Sequence, residues 1–489
     1  MTKSKKIFVF ALDGATWKLL DRWIEKGHLP FLAKLVNQGI KRDLISTIPP
    51  RTAPAWASFI SGLTPAEHGI YDFLVTRDVF GNREEEMVNG GWLGKNKFWK
   101  KWEREGKKIG LINLPLGYPV EKVNGVLISS FLTPEGAQFA YPSKMIDRLE
   151  RLGLGRDKIG LLDQYMEKKT NREIFELVKA QLDQRFRGAK QLIEEMNFDF
   201  FFFYCRETDI VQHLFWRGRQ TLELYRRLDR LLGDFYEFLG KKYGKRNFYF
   251  LLMSDHGFHP SPKIQVNLYP WLRKQGLLKT SLKASLARVF RKLAIWERDK
   301  SNSRFNRWGE SPLLRVGIFG IWLNRKLLGR RYQQYRHELI EALRQLKFGN
   351  RRVFQLVAPR EEIYPRGRKK WLWDIIWLTR PYFVIGPCSI ERKVFISASN
   401  PIRDRLLGWH DSDRRGIFLI KGVGARRLLR PWQNKEIFIW DLPQIFDLIM
   451  GYRKRKSIKL SRTARSKRLK LSDKERGILA QRLKNLGYL

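Results

Sequence analysis

The sequence predicts an α/β protein in which a doubly wound, mostly parallel β-sheet carries helices on both faces and has inserted cap regions. Three observations predict this fold class. Short apolar runs recur at wide spacing, amphipathic stretches separate them, and polar residues directly follow several of the runs. In open sheets of this kind the ligand binds beyond the carboxyl ends of the strands. The same pattern therefore predicts where a functional site should lie.

The predicted strands are continuous apolar runs, which is typical of strands covered on both faces. In chain order they are IFVFAL (7–12), IGLIN (109–113), FDFFFFYC (198–205), FYFLLM (248–253), GIFLI (416–420) and EIFIW (436–440). Between the third and fourth runs, RETDIVQHLFWRG and LELYRRLDRLLGDFYEFLG have the apolar spacing of helices.

Two regions interrupt this alternation and suggest the domain organisation. A charged, mostly helical stretch predicts a cap insertion, and a basic amphipathic stretch opens a second inserted lobe. The chain ends with a basic linker and a predicted helix. The expected divisions are a core of 1–135, 191–279 and 391–452, a helical cap at 136–190, a basic lobe at 280–390, and a linker with a C-terminal helix at 453–489.

The charge of the chain is extreme, because 95 Lys and Arg against 49 Asp and Glu give a formal net charge of +46. Such an excess predicts attraction to polyanions such as acidic membranes, nucleic acid or phosphorylated substrates. Two cysteines, Cys205 and Cys388, provide no disulfide framework and indicate a reducing compartment. No segment has the length and apolarity of a membrane span. We therefore expect a cytoplasmic protein, with peripheral attachment to the inner membrane surface through its basic segments.

The stretch TIPPRTAPAWASFISG predicts a short helix with a hydroxyl group at its start. Thr52 would cap the helix, Pro54 would lie in its first turn, and the helix would run from about Ala55 to Ser61 and stop at Gly62. A hydroxyl group at a helix N-terminus also lies in a positive field, which stabilises an oxyanion or a bound phosphate. The local sequence leaves both roles open for Thr52.

Carboxylates and imidazoles follow three of the predicted strands. Asp13 follows the first, Asp209 and His213 share one face of a helix because they are four residues apart, and Asp255 and His256 leave FYFLLM together. Each pair alone could be a helix cap or a core histidine, but three such positions together predict a metal centre. These ligand types suit zinc, manganese or iron, and two such ions about 4 Å apart can clamp the oxygens of an in-line displacement.

Several ordered motifs extend over most of the chain. They include ALDGATW, PPRTAPAWASFISGLTPAEHGIYDF, INLPLGYP, LISSFLTP, TDIVQH, SDHGFHP, GWHDSDRRGIFLIKG and WDLPQIFDLIMG. With these motifs the chain resembles the alkaline phosphatase superfamily, within it the type I phosphodiesterase/nucleotide pyrophosphatase-like branch, and in particular its predicted phosphohydrolases and phosphomutases. The resemblance implies an alkaline-phosphatase-like fold.

The resemblance also implies a metal-ligand set and a nucleophile. Two divalent ions are implied, with zinc favoured over manganese or iron. The implied ligands are Asp13, Thr52, Asp255 and His256 for one metal, and Asp209, His213 and His410 for the other. Thr52 matches the position of the family nucleophile.

Contacts to the substrate phosphate are expected from Asn113, His259 and Lys95, and a purely structural role also remains open for His259. His68, in EHGI, is expected to brace its loop. The sequence departs from its relatives after Asp209, where a basic residue is frequent and Ile210 stands instead. One positive charge is therefore missing from the expected pattern.

The resemblance implies a metal-dependent phosphoesterase that hydrolyses phosphodiester or phosphomonoester bonds through a phosphothreonine on Thr52. Its substrate would be a phosphorylated small molecule or a phosphodiester. A phosphomutase would use the same site and return the phosphoryl group to the substrate. A third hypothesis is a catalytically inactive basic protein that binds membrane or nucleic acid, although intact candidates at every ligand position favour an enzyme.

Overall fold

The computed structural model describes residues 5–76, 85–156, 169–277, 311–367, 372–386, 393–398 and 403–452. The chain forms two compact units. The first, unit 1, comprises Met1–Val75, Glu86–Pro260 and Ile402–Leu489, and the second, unit 2, comprises Thr76–Glu85 and Ser261–Pro401. The described part of 136–190, which the sequence suggests as a cap, falls within unit 1.

A nine-stranded sheet forms the centre of unit 1. Its strands are β1 (Lys6–Leu12), β2 (Ile40–Ile45), β3 (Ile109–Leu114), β4 (Gly125–Ser129), β5 (Ala140–Tyr141), β6 (Phe200–Cys205), β7 (Phe248–Met253), β8 (Arg415–Lys421) and β9 (Ile437–Phe438). Their order across the sheet is β9-β2-β8-β7-β1-β6-β3-β4-β5. The five neighbouring strands from β7 to β4 are parallel, and β2 and β9 are parallel to each other. Strand β8 is antiparallel to both β2 and β7, and β5 is antiparallel to β4. The predicted doubly wound, mostly parallel α/β fold is confirmed.

Both faces of this sheet are covered, as the continuous apolar runs predict. Alternate residues of β1 enter different cores. Ile7, Val9 and Ala11 lie in the first core, on one face of the sheet, and Phe8, Phe10 and Leu12 lie in the second core, on the other face. Because side chains alternate along a strand, only a sheet buried on both sides requires an apolar residue at every position.

The helices of unit 1 supply these two layers. They are α1 (Trp17–Glu25), α2 (Pro30–Gln38), α3 (Thr52–Ser61), α4 (Pro65–His68), α5 (Lys100–Arg104), α6 (Ile146–Arg151), α7 (Asn171–Glu195), α8 (Glu207–Phe215), α9 (Arg219–Tyr243), α10 (Ala425–Leu428) and α11 (Leu442–Ile449). Helix α3 contributes to the first core, and α7 and α9 contribute to the second. The remaining strands are short: Leu74–Thr76 pairs with Glu85–Met87, and His259–Pro260 pairs with Gly408–Trp409. There are 3₁₀ turns at Gly90–Leu93, Ser143–Met145, Arg403–Arg405, Arg430–Trp432 and Ile439–Asp441.

Two late strands differ from the sequence prediction. The run GIFLI forms β8, but β8 is antiparallel to both of its neighbours. The run EIFIW forms only the two-residue edge strand β9, and a 3₁₀ turn at Ile439–Asp441 follows it. Strand β2 was not predicted, because IKRDLI is only half-buried at its start and lacks the continuous apolar pattern.

Unit 2 contains a four-stranded antiparallel sheet with the order Leu313–Val316, Gly320–Leu323, Ile375–Thr379, Phe354–Pro359. A three-stranded sheet joins Phe383–Ile385, Ile264–Val266 and Phe395–Ser397, and a hairpin joins Lys347–Phe348 to Arg351–Arg352. Its helices are Leu268–Lys274, Arg325–Leu328, Tyr332–Gln345 and Arg360–Ile363, with a 3₁₀ turn at Gly329–Arg331. Leu339 and Leu343 of the longest helix share one apolar core with strand residues such as Ile375 and Trp377.

Among the described residues, no helix is both long enough and apolar enough to cross a bilayer. The basic stretch at 280–310 and the linker and helix predicted at 453–489 lie outside the described residues.

Candidate active site

Asp13 lies immediately after β1, at the carboxyl edge of the sheet, and is 1% exposed. Gly14 turns the chain directly behind it with φ +66°, and a Cβ there would lie 2.7 Å from the ring of Phe258. Glycine is therefore required at this turn, both for the backbone angle and for space. The Gly14 N–H donates to Oδ1 of Asp255 at 3.3 Å, which links the ends of β1 and β7.

Four further candidate ligands converge on this edge. Asp209 and His213 lie on α8, where Asp209 Oδ1 and His213 Nε2 are 3.3 Å apart. Asp255 and His256 follow β7, and His256 Nε2 lies 3.3 Å from Asp255 Oδ2 and 3.5 Å from Asp13 Oδ1. All five side chains are buried. The adjacency of β7, β1 and β6 in the sheet brings together residues that are about 240 positions apart in the chain.

His410 reaches the same place by a different route. The strand pair Gly408–Trp409 with His259–Pro260 and a bond from Leu407 N–H to the His213 carbonyl (2.7 Å) hold its segment against α8. Its ring stacks on that of His256 with centroids 4.0 Å apart. Potential ligand atoms fall into two overlapping groups, each within 4.8 Å: Asp13, Asp255 and His256, and Asp209, His256 and His410.

The three predicted ligand histidines share one hydrogen-bond arrangement. Nδ1 of His213 contacts the carbonyl oxygen of Gly408 at 2.9 Å, Nδ1 of His256 that of Gly257 at 3.0 Å, and Nδ1 of His410 that of Pro50 at 3.3 Å. Since a carbonyl oxygen only accepts, each Nδ1 carries the proton and donates it. The Nε2 lone pair of each neutral ring is then available, which is the usual arrangement around a bound metal.

The electrostatics of the cluster fit a cation. Burial, together with the charges of Asp255 and Asp209, raises the pKa of Asp13 well above its usual range, and burial raises the pKa of Asp255 to about 7. Burial also opposes the charged form of Asp209, but the facing imidazole of His213 holds the pKa of Asp209 below its usual value.

Four buried atoms of the cluster have no hydrogen-bond partner within the described residues, namely Asp13 Oδ1, Asp209 Oδ1, Asp255 Oδ2 and His256 Nε2. Buried polar groups without partners are costly, and like charges at this distance repel. Divalent cations placed among these atoms would give the unpartnered atoms a partner and would offset the repulsion between the carboxylates. The donor set therefore fits the metals implied by the sequence.

Helix α3 begins at Thr52 itself, not at Ala55, and ends at Ser61, with Gly62 as a left-handed C-cap of φ 65°. Arg51 occupies the N-cap position and no side chain caps the helix. The capping role for Thr52 was therefore wrong, because the residue already has helical geometry. Its hydroxyl group lies in the first turn of a ten-residue helix, where the backbone dipole favours negative charge.

Contacts on both sides place Thr52 beside the cluster. Two residues before it, the Pro50 carbonyl accepts from His410 Nδ1. One helical turn after it, Trp56 packs edge-on against Tyr204 with ring centroids 5.2 Å apart, and the Tyr204 hydroxyl donates to Asp13 Oδ2. Thr52 is 4% exposed and thus lies between residues that contact both ligand groups.

The predicted substrate contacts have different surroundings. Both ring nitrogens of His259 are used by the backbone, because Nδ1 donates to Pro260 O at 2.7 Å and Nε2 accepts from Ser412 N–H at 3.3 Å. Asn113, at the end of β3 with φ 61°, donates to the Tyr204 carbonyl at 3.3 Å. Lys95 is exposed, unlike the buried cluster, and its contact to the substrate stays a prediction. Asn113 and His259 are both buried, and Asn113 is bonded to β6, the strand that ends at the site.

His68 has the loop-bracing contacts that the sequence suggests, because its Nε2 lies 3.0 Å from Ser58 Oγ and its Nδ1 accepts from Ile70 N–H at 3.1 Å. Burial lowers its pKa to about 3. Ile210, which replaces an expected basic residue, is buried at 2% exposure in the second core.

Three neighbours of the candidate site were not predicted from the sequence. Tyr204, the penultimate residue of β6, holds Asp13, and Arg51 and Asp411 form a buried ion pair beside Thr52 and His410. Tyr204 was hidden inside an aromatic run. Arg51 and Asp411 directly adjoin two predicted site residues, and that adjacency was the only signal in the sequence.

The family model for type I phosphodiesterase / nucleotide pyrophosphatase matches residues 7–377, which is most of the chain. The chain belongs to this family. The resemblance identified from the sequence motifs is thereby confirmed. His410 lies beyond the matched residues, so its place beside the other candidate ligands is supplied by the structure alone.

Among curated proteins, the chain is similar to human ectonucleotide pyrophosphatase/phosphodiesterase family member 1, with 27% identity over 155 residues, or 31% of this chain and 16% of that protein. It is also similar to alkaline phosphatase PhoV of Synechococcus elongatus, with 34% identity over 106 residues, or 21% of this chain and 19% of that protein. The chain thus spans less than a fifth of the length of each relative.

Among solved structures, phosphonoacetate hydrolase from Sinorhizobium meliloti 1021, in complex with phosphonoformate, aligns with a TM-score of 0.60 and 18% identity. The alignment covers 91% of this chain and 95% of that one. At this identity the likeness shows the shared fold.

Proposed function

We propose that the protein is a metal-dependent phosphoesterase that hydrolyses phosphoric ester bonds through a phosphothreonine on Thr52. The observation that carries the proposal is the common arrangement of His213, His256 and His410. Each donates Nδ1–H to a backbone carbonyl, which leaves the Nε2 lone pair available for a metal. In the same cluster Asp13 Oδ1, Asp209 Oδ1 and Asp255 Oδ2 have no hydrogen-bond partner among the described residues. Membership of a phosphodiesterase family supports the same reaction class.

The residues present would hold two divalent ions, one among Asp13, Thr52, Asp255 and His256 and the other among Asp209, His213 and His410. Such ions, when bound, lower the pKa of a coordinated hydroxyl group or water and stabilise negative charge on the phosphoryl oxygens. The mixture of imidazole and carboxylate ligands suits zinc, manganese and iron, and of these we favour zinc.

The chain's own residues position the reaction. Thr52 Oγ forms a bond to phosphorus while the bond to the leaving oxygen breaks, and the leaving alcohol takes up a proton. Water then cleaves the phosphothreonine, which releases phosphate or a phosphomonoester and restores the hydroxyl group. The N-terminus of α3 favours negative charge next to Thr52, and charge stabilisation of this kind dominates phosphoryl transfer.

We further propose a preference for phosphodiesters over phosphomonoesters. The matched family is a phosphodiesterase family, and the described residues show two overlapping ligand groups with no third. Hydrolysis of bis-p-nitrophenyl phosphate and p-nitrophenyl phosphate should be compared on protein loaded with zinc or manganese. We expect metal-dependent release of nitrophenolate, faster from the diester. Faster monoester hydrolysis would contradict the preference, and inertness toward both would contradict the hydrolase.

We propose, from its charge, that the protein also associates with the inner surface of an acidic membrane. The basic stretch 280–310, outside the described residues, has the composition of an amphipathic surface helix, in which each Lys or Arg contributes about 1 kcal/mol. Sedimentation with anionic vesicles should fall as salt rises and weaken when 280–310 is deleted, while neutral vesicles serve as the control. Absence of binding to anionic vesicles at low salt would refute this proposal.

A further inference from the structure

The guanidinium group of Arg51, the residue before Thr52, is fully buried and joins two carboxylates. Its Nε and Nη2 donate to Oδ1 and Oδ2 of Asp411, both at 3.0 Å, and its Nη1 donates to Oδ2 of Asp72 at 2.7 Å. The two bonds to Asp411 are parallel, so the pair is bidentate. This geometry restricts the orientation of both partners as well as the distance between them.

A second bond joins the same two segments. His410 Nδ1 donates to the carbonyl oxygen of Pro50 at 3.3 Å, and His410 and Asp411 are neighbours, as are Pro50 and Arg51. Residues 50–51 and 410–411, which are 360 positions apart, are thus linked once through a ring and once through a bidentate ion pair. We name these four residues the 51–411 clamp. Two bonds between adjacent residue pairs fix relative rotation as well as separation.

Stability alone is a weak reason for such a cluster. Desolvation of a buried ion pair offsets most of its attraction, and apolar side chains of the same volume often stabilise a fold equally well. Apolar packing is available here, because the first turns of α3 already contact Tyr204 and other core rings. A bidentate pair also fixes the relative orientation of the two residues that form it. Because Arg51 precedes Thr52 and Asp411 follows His410, the pair controls the orientation of Thr52 relative to His410.

We propose that Arg51 and Asp411 are positioning residues that hold the Thr52 hydroxyl group in register with the Nε2 atom of His410. The inference rests on the proposed function, in which Thr52 attacks phosphorus and His410 holds one of the metals. The Arg51 guanidinium is fully buried and bonded to two carboxylates, so we assign Arg51 and Asp411 a role in orientation and no contact to the substrate. The clamp sets the position of the nucleophile relative to His410, which would hold one of the metals.

Loosening the clamp should affect metal binding and turnover together. Groups that orient a metal ligand change metal affinity about 10–100-fold when they are removed. A shift of the nucleophile of about 1 Å costs on the order of 100-fold in rate, since the reacting atoms lose their alignment. Substrate affinity depends less on this alignment, so kcat should fall more than KM rises.

The test uses the full-length protein with Arg51→Lys, which keeps the charge but loses the planar fork, and Asp411→Asn, which keeps the shape but loses the charge. Zinc affinity is measured by competition with a chromophoric chelator, and kcat and KM with bis-p-nitrophenyl phosphate. The matched control is Asp229→Asn. Asp229 is another buried carboxylate, 1% exposed, and it accepts from Phe31 N–H at 3.0 Å and Leu32 N–H at 2.8 Å, away from the cluster.

In both clamp variants we expect the weaker of the two zinc sites to lose at least about tenfold in affinity. We expect kcat to fall at least about tenfold with KM changed about threefold or less. Asp229→Asn should unfold at a lower temperature yet keep the zinc affinity and kcat of the unmodified protein. Circular dichroism establishes folding, and Arg51→Lys decides the question if Asp411→Asn does not fold.

The clamp is refuted if both variants fold and bind zinc as the unmodified protein does, or if neither folds, since its role is then structural. Failure of the proposed function has a different signature. If Thr52→Ala retains activity, Thr52 is not the nucleophile, whereas reduced zinc affinity in the clamp variants would still report the link to His410.

Discussion

Thr52→Ala is expected to abolish hydrolysis while the protein remains folded and binds metal at its other ligands. The side chain is small, lies at a helix start and caps nothing, so its removal should change stability little. Loss of a nucleophile costs orders of magnitude in rate, and we expect kcat to fall about a thousandfold or more. Activity is measured with bis-p-nitrophenyl phosphate, and the fold is checked by circular dichroism.

Two variants separate the nucleophile from a general hydroxyl effect. Thr52→Ser keeps the hydroxyl group and should retain measurable turnover. Ser61→Ala removes a hydroxyl group from the other end of α3, where Ser61 donates to the Ala57 carbonyl at 2.7 Å, and should leave kcat unchanged. Near-normal activity in Thr52→Ala would exclude the phosphothreonine route.

His410→Ala is expected to lose one of two bound metals and to keep the other. His410 belongs to one of the two ligand groups in the structure, whereas Asp13, Asp255 and His256 form a group without it. Since removing groups that merely orient a ligand lowers affinity about 10–100-fold, removing the ligand itself should lower it by at least about 100-fold. The metal content of the purified variant, measured by elemental analysis, should fall from two ions per chain to one.

The matched control is His68→Gln, which replaces a histidine that bonds Ser58 and Ile70 outside the cluster. It should bind two metals. If the metal content of His410→Ala equals that of His68→Gln, His410 is not a ligand. If both metals are lost together, the two sites are coupled through His256, which lies in both ligand groups.

The strands and the ligand types could be predicted from the sequence because they depend on local patterns. A strand buried on both faces requires apolar residues throughout, and β1, β6 and β7 show this in their letters alone. The Asp209–His213 pair was equally local, since helical spacing places residues four apart on one face. The fold class then predicted that the polar residues after the strands lie together at the carboxyl edge of the sheet.

The direction of β8 could not be predicted in this way. Parallel and antiparallel strands that are covered on both faces have the same apolar pattern, and the connection to β8 passes through unit 2. The start of α3 was also misplaced, because the preference of threonine for N-cap positions is weak compared with the tertiary contacts that place Arg51 there.

The sequence by itself determined the candidate residues for the chemistry: the carboxylates and imidazoles at strand ends and a threonine at a helix start. Only the tertiary structure decided how they act together. The Nδ1 donations of His213 and His410, the Tyr204 bond to Asp13 and the Arg51–Asp411 pair all join residues distant in the chain. Such contacts depend on strand order and backbone carbonyl positions, which no local pattern encodes, because they form only when the sheet brings separate segments to one edge.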